Sequence, residues 1–190
     1  MLRRPAHALL LGLVLALAGC GGDESTPGGA DDLPPPVPEG VVFAEPPPGG
    51  LPAPDFSAPL LDGTRVEAAD LWDERPLVLV FTASWCGRCA GVHRDAAAAV
   101  DEHDDAIALL GVVAGDDEAP AREYAEELDL GHPVAVAGER IWLNYAAREP
   151  PVVVLVARGG RVLRGWPGGV GRALLARSLA ELVERPADPE

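Results

Sequence analysis

Two cysteines three residues apart carry the strongest chemical signal in this chain. The motif Cys86-Gly87-Arg88-Cys89 follows an apolar run at residues 77–81 and precedes helix-forming residues. The free backbone N–H groups and the dipole at a helix start stabilise a thiolate, the species that attacks disulfides. The spacing therefore predicts a redox-active disulfide. Cys86 would attack from the exposed helix tip, and Cys89, one turn inward, would resolve the mixed disulfide.

The neighbours of the cysteines fit the same chemistry. Arg88 adds positive charge that should lower the pKa of the Cys86 thiol, and Trp85 supplies a flat apolar wall beside the sulfur. A purely structural disulfide would close only a four-residue loop and would add little stability. Half of a zinc site would need two more ligands, and the sequence has no second cysteine pair. Redox chemistry that needs neither a cofactor nor a resident metal is therefore favoured.

A buried resolving thiol also needs a proton acceptor. His93 follows Cys89 by four residues and Cys86 by seven, so the three are predicted to share one helix face. An imidazole that titrates near neutral pH is suited to take the Cys89 proton. The same three side chains are alternatively a copper-binding set, which would make the chain a metal-delivery module. His93 without any role is a further alternative, and His103 and His132, which lie in polar stretches, are predicted to be surface residues.

Alternating strand and helix patterns must position these residues. Asp62-Gly63 indicates a hairpin turn between residues 55–60 and 65–67. Further strand patterns occur at residues 77–81, 106–113, 134–137, 152–157 and 162–165, and helical patterns at 96–100, 119–128, 141–147 and 171–184. This order predicts an α/β fold with an N-terminal hairpin and a central sheet covered by helices on both faces. The turn at Gly159-Gly160 makes the predicted sheet mixed rather than parallel.

The N-terminal fifty residues differ in composition from the rest. Residues 1–19 combine Arg3 and Arg4 with a short apolar run, the layout of an export signal, and the ending Leu17-Ala18-Gly19-Cys20 resembles a bacterial lipoprotein cleavage box. We therefore expect lipidation at Cys20, a disordered tether over residues 20–50, a domain over 51–185 and a tail at 186–190. This organisation predicts a lipid-anchored, periplasm-facing protein. Its net charge of -15 argues against nucleic-acid binding.

Residues 52 to 185 resemble the thioredoxin superfamily and, within it, the TlpA/ResA-type lipoproteins. The resemblance is carried by the opening hairpin, the apolar strand leading into Trp85-Cys86, and the segment 145–156 around Pro150-Pro151. It implies a cis peptide bond before Pro151, which would face the cysteines and present backbone groups to a substrate. It also implies disulfide exchange with exported proteins, as a reductase supplied by a membrane electron donor. The implied catalytic set is Cys86, Cys89, Pro151, Arg88 and Trp85.

The chain departs from this family at the residues that hold the resolving proton. Classical thioredoxins have a buried acid six residues before the first cysteine, and Val80 occupies that position here. Many TlpA/ResA-type proteins have a Glu three residues after the second cysteine and a Pro two residues later, and Val92 and Arg94 stand there. Asp95 and Glu149 are weaker candidates than His93 for the missing acceptor.

Overall fold

The computed structural model describes residues 26–114 and 118–184. The predicted signal at residues 1–19, the lipidation site Cys20 and the tail at 186–190 lie outside the described residues. Within the described ranges, no helix is both long enough and apolar enough to cross a membrane.

The centre of the fold is a six-stranded mixed sheet, as predicted. Its strand order is β2-β9-β8-β5-β6-β7, in which β5, β6 and β7 are parallel and β8, β9 and β2 are added antiparallel. These strands are β2 Leu51–Pro52, β5 Leu77–Thr82, β6 Ala108–Ala114, β7 Val134–Ala137, β8 Val152–Ala157 and β9 Arg161–Pro167. The predicted hairpin forms from β3 Ser57–Pro59 and β4 Arg65–Glu67, and a small ribbon pairs β1 Val42–Phe43 with β10 Val183–Glu184.

Five α-helices accompany these strands in the described residues. They are α1 Ala68–Glu74, α2 Cys89–Val100, α3 Glu118–Leu128, α4 Glu139–Asn144 and α5 Arg172–Ala180. Two short 3-10 turns, Ala30–Asp32 and Asp101–His103, complete the elements.

The strand β5 is the structural axis of the molecule because all six of its residues are buried. Leu77, Leu79 and Phe81 pack into one core with the hairpin, α1 and α4, whereas Val78 and Val80 pack into a second core with α2 and α5. A strand buried on both faces loses the alternation of polar and apolar residues, which explains its continuous apolar sequence. Its carboxyl end delivers the chain directly into the segment that carries the cysteines.

The segment at residues 26–50 differs from the disordered tether that its composition predicts. The Gly28 carbonyl accepts a hydrogen bond from the Val134 N–H at 2.9 Å, and the Ala30 N–H donates to the Asp62 carboxylate at 2.8 Å. This contact with Ala30 is the main cause that lowers the pKa of Asp62 below its usual value. These partners lie in distant parts of the chain, so composition alone could not indicate them.

A buried arginine also holds the segment at residues 26–50 in place through hydrogen bonds. Arg75 is 1% exposed, and its guanidinium donates to the Pro35 carbonyl and to the Asp105 carbonyl, each at 2.6 Å. Further along, β1 adds to β10. Residues 26 to 43 are therefore packed on the domain, and the predicted domain boundary at residue 51 does not coincide with the start of ordered contacts.

Candidate active site

The two cysteines form a disulfide at the carboxyl end of β5. Cys86 and Cys89 are bonded with an S–S distance of 2.07 Å and a Cα–Cα separation of 5.4 Å. Cys86 is 8% exposed and Cys89 is fully buried. Cys86 is therefore the less buried of the two, and the division of roles, in which Cys86 attacks and Cys89 resolves, stays a prediction.

The start of the active-site helix differs from the prediction. The helix α2 begins at Cys89, with Arg88 as its N-cap, so Cys86 lies in the preceding turn and not at the exposed helix tip. This turn is closed by two backbone hydrogen bonds, from the Cys86 N–H to the Ala83 carbonyl and from the Cys89 N–H to the Cys86 carbonyl, both 3.0 Å. The amino end of α2 directly follows the turn, so its free N–H groups and dipole favour a thiolate at Cys86.

The proline predicted from the family resemblance has the expected geometry. The Pro150–Pro151 peptide bond is cis, and the following strand β8 pairs Val152 with Phe81 near the end of β5. The Pro151 carbonyl accepts a hydrogen bond from the Gly168 N–H at 2.8 Å. The proline therefore lies at the same end of the sheet as the cysteines.

An open groove of about 460 Å³ runs along this end of the molecule. Trp85, which is 75% exposed, lines it together with Trp142, Leu143 and Pro150. Trp142 Nε1 is buried and has no hydrogen-bond partner among the described residues. The groove thus has mainly apolar walls, and they include Trp85, the residue before Cys86, and Pro150, the residue before the cis-proline. Gly87 and Arg88, between the two cysteines, are exposed.

His93 is fully buried on α2, one helical turn after Cys89. Its ring lies over Gly111, where an added Cβ would be 3.1 Å from His93 Cε1 and 3.2 Å from Nε2. Gly111 is the register partner of Val80, which occupies the position of the classical buried acid. The imidazole therefore lies next to the position of the classical acid, but it comes from α2 and not from β5.

The prediction that His132 is a surface residue is wrong. His132 is 8% exposed, and its Nε2 lies 2.7 Å from Nε2 of His93. On the other side of the ring, His93 Nδ1 lies 3.5 Å from the Tyr124 hydroxyl, which accepts a 3.0 Å hydrogen bond from Thr82 Oγ1. A histidine in a polar stretch becomes buried because the tertiary fold supplies its hydrogen-bond partner.

Burial sets the protonation of this cluster. Burial lowers the pKa of His93 to about 4, and burial together with the neighbouring His93 lowers the pKa of His132 well below 6.5. Burial also raises the pKa of Tyr124, an effect that the hydrogen bond from Thr82 partly offsets. Both imidazoles are therefore neutral in the disulfide form of the protein.

The two weaker candidates for the proton acceptor lie outside this buried cluster. Asp95 is half-buried and Glu149 is exposed, and neither takes part in the hydrogen bonds around His93. Val92 packs against Gly169, where an added Cβ would come within 2.5 Å of its side chain. An apolar contact with the loop after β9 thus replaces the Glu that many TlpA/ResA-type proteins have there.

The alternative of a copper site gains no geometric support. The described residues contain no group of three or more His, Cys, Asp or Glu side chains arranged to hold a metal ion. The sulfurs of Cys86 and Cys89 are bonded to each other, and the ring nitrogens of His93 face Tyr124 and His132.

Sequence reasoning missed three members of the buried cluster, namely Thr82, Tyr124 and His132. One signal was present in the sequence, because Gly111 interrupts an otherwise apolar strand, and a glycine there often marks the close approach of another group. The identity of that group depends on how α2 and α3 pack, which the strand pattern does not specify.

The fold and the Cys86–Cys89 disulfide define a thioredoxin-like thiol–disulfide oxidoreductase. The chain belongs to the Redoxin family, whose model matches residues 48–164. No curated protein matches the sequence of the chain.

Solved structures share the fold. The exposed lipoprotein thioredoxin Etrx1 of Streptococcus pneumoniae is 25% identical, with a TM-score of 0.60 over 68% of this chain and 100% of that one. The thioredoxin domain of a Bacteroides vulgatus thiol–disulfide oxidoreductase is 16% identical, with a TM-score of 0.63 over 70% and 95%. A secreted Mycobacterium tuberculosis disulfide oxidoreductase is 19% identical, with a TM-score of 0.58 over 66% and 94%.

Proposed function

We propose that this protein is an exported, lipid-anchored reductase that exchanges disulfides with other exported proteins. The observation that carries the proposal is the Cys86–Cys89 disulfide, in which Cys89 is fully buried and Cys86 directly follows Trp85, a residue that lines the groove. A substrate strand that enters the groove meets Cys86 first. Cys89 is then placed to break the mixed disulfide from inside the protein.

The proposed reaction transfers two electrons to the substrate disulfide. The Cys86 thiolate attacks one substrate sulfur, a mixed disulfide forms, and the other substrate sulfur leaves as a thiolate. Cys89 loses its proton and attacks Cys86 Sγ, which releases the second substrate thiolate and regenerates the observed disulfide. A membrane electron donor then returns the pair to the dithiol.

The groove supports a protein substrate with an apolar side chain near its disulfide. Trp85 and Leu143 are 75% and 56% exposed, an unusual exposure for such large apolar side chains at one site. A folded or unfolded polypeptide with an apolar residue next to its cysteine would cover them.

Export and anchoring are supported by the sequence before the described residues. The run from Leu17 to Cys20 resembles a lipoprotein cleavage box, and Etrx1, one of the similar structures, is described as an exposed lipoprotein. We expect Cys20 to carry the lipid that anchors the protein to the membrane, with the domain facing the periplasm. Mass spectrometry should find an acylated N-terminal Cys20, and Cys20→Ser should move the protein from the membrane to the soluble fraction. Retention of Cys20→Ser in the membrane would refute the anchor.

The direction of electron flow is tested by a redox titration of the full chain against glutathione, which follows the Cys86–Cys89 disulfide. A reduction potential below about −230 mV is expected for a reductase fed by a donor. A value near about −120 mV would make the protein an oxidant and would refute the reductase direction. Cys20→Ser provides the matched control because it removes only the third cysteine.

A further inference from the structure

The buried pair of His93 and His132 has no role in the chemistry described so far. Two imidazoles are hydrogen-bonded to each other at 2.7 Å inside the protein, and one of them belongs to the helix that begins at Cys89. Burial of polar side chains costs free energy, so such a pair either satisfies a structural need or does chemical work.

We propose that His93 and His132 act as one unit that accepts the proton of Cys89 when it resolves the mixed disulfide, in place of the missing buried acid. The proposal rests on the proposed function, because it concerns the second half of that exchange reaction. His93 is the proton acceptor, and His132 is a positioning residue that acts through it.

The position of His93 fits this role. Cys89 and His93 are both fully buried and are four residues apart on α2, so their side chains are neighbours on one face of the helix. Cys89 and Tyr124, which approaches His93 Nδ1, belong to the same buried cluster. In addition, the ring lies over Gly111, the register partner of the position at which classical thioredoxins have their acid.

The hydrogen bonds indicate which nitrogen receives the proton. Thr82 Oγ1 donates to the Tyr124 hydroxyl, which leaves the Tyr124 proton free to donate to His93 Nδ1. His93 then carries its own proton on Nε2 and donates it to Nε2 of His132. The basic nitrogen of His93 is thus Nδ1, and the Tyr124 hydroxyl, which donates to it over a long 3.5 Å contact, must release it when the Cys89 proton arrives.

The second imidazole makes the first a better acceptor. When His93 becomes an imidazolium, its Nε2–H forms a charge-assisted hydrogen bond to His132. Inside the protein such a bond is stronger than in water, so it offsets part of the cost of a buried charge. The Cys89 thiolate that forms at the same moment adds an attractive opposite charge.

His132 also provides a path by which the proton leaves His93 for solvent. It lines a cavity of about 540 Å³ between the segment at residues 31–35 and α2, together with five aspartates. The charged groups around the cavity are Asp31, Asp32, Asp101, Asp105 and Asp129. Negative charge at the outer end of the pair favours movement of a proton from His93 towards solvent.

The step is balanced in atoms and electrons. The Cys89 S–H bond breaks and its proton moves to His93 Nδ1, while the Cys89 electron pair forms the bond to Cys86 Sγ. The bond between Cys86 and the substrate sulfur breaks, and its electron pair leaves with the substrate thiolate. His93 then releases a proton through His132, and the substrate thiolate takes one from solvent.

The experiment follows the two half-reactions of the full chain, reduced and held in detergent, with Ellman's reagent in a stopped-flow instrument. The attack of Cys86 releases the first nitrothiobenzoate, and the resolution by Cys89 releases the second. Cys89→Ser should show only the first phase. The variants His93→Gln and His132→Gln place an amide at the Nε2 positions, so they keep a hydrogen-bonding group but lose the base.

We expect His93→Gln to slow the second phase by about 100-fold and His132→Gln by at least about tenfold, with the first phase within about twofold of the wild type. The second phase of His93→Gln should rise about tenfold per pH unit up to the pKa of an unassisted thiol, about 8.5. His103→Gln is the matched control, a histidine outside the buried cluster, and it should leave both phases within about twofold of the wild type.

The outcomes separate this inference from the proposed function. An unchanged second phase in both glutamine variants, or an equal slowing of both phases in all three variants, would overturn the role of the pair while the exchange activity stands. Failure of the wild type to show a first phase would instead overturn the proposed function. Should His93→Gln not fold, His132→Gln and its pH profile decide the matter, since His132 lies outside α2.

Discussion

The buried imidazoles predict that the protein loses stability as the pH falls from 6.5 to about 4. The perturbation is the pH itself, and the variants His93→Gln and His132→Gln identify the groups that respond. In the unfolded chain His93 titrates near 6.5, whereas burial lowers its pKa in the folded protein to about 4. Below pH 6.5 the unfolded state therefore binds a proton that the folded state does not bind.

The magnitude follows from the difference between these two pKa values. One pKa unit corresponds to about 1.4 kcal/mol, so the shift of His93 should lower the free energy of unfolding by roughly 3 kcal/mol between pH 6.5 and pH 4. The pKa of His132 is lowered as well and acts in the same direction. The contribution of Asp62, whose pKa is lowered from 3.8, begins to be lost only at the lower end of this window, and it is the same in the wild type and in the histidine variants.

The assay is urea unfolding of the oxidised full chain at several pH values across this window, followed by far-ultraviolet circular dichroism. The wild type should lose stability with a slope that approaches about 1.4 kcal/mol per pH unit for each imidazole. The double variant His93→Gln/His132→Gln should keep only the shallower dependence that comes from carboxylates. Equal slopes for the wild type and the double variant would refute the assignment of buried, neutral histidines.

Three further outcomes follow from packing. Gly111→Ala should lower the free energy of unfolding, measured in urea, by about 1–3 kcal/mol. The added Cβ would press on the His93 ring, which its hydrogen bond to His132 holds in place. An unchanged free energy would contradict the close approach of the ring to Gly111. Gly91→Ala, which is exposed on α2 with open space around it, should instead raise this free energy by about 1 kcal/mol, and a loss would show that the position is not helical. Arg75→Gln should cost about 2–3 kcal/mol and should speed limited proteolysis near Pro35, whereas cleavage at the wild-type rate would speak against the packed N-terminal segment.

The sequence by itself determined the elements that carry the chemistry. The apolar run that became β5 predicted a buried strand, because it is short, contains β-branched residues and has no polar residue alternating with its apolar ones. The two cysteines that follow were close enough in sequence to predict a disulfide from local geometry alone, and the resemblance around Pro151 predicted its cis peptide bond. These features depend on neighbours within a few residues, and such information is present in the chain itself.

Only the tertiary structure decided what surrounds the cysteines. His132 follows His93 by thirty-nine residues, and their contact requires α2, α3 and the loop before β7 to meet on one side of the sheet. The contact of Ala30 with Asp62 spans thirty-two residues, and it gives order to a segment whose composition predicts a free tether. Composition and periodicity report the average environment of a residue, whereas a hydrogen bond between distant residues depends on how the packed elements face each other.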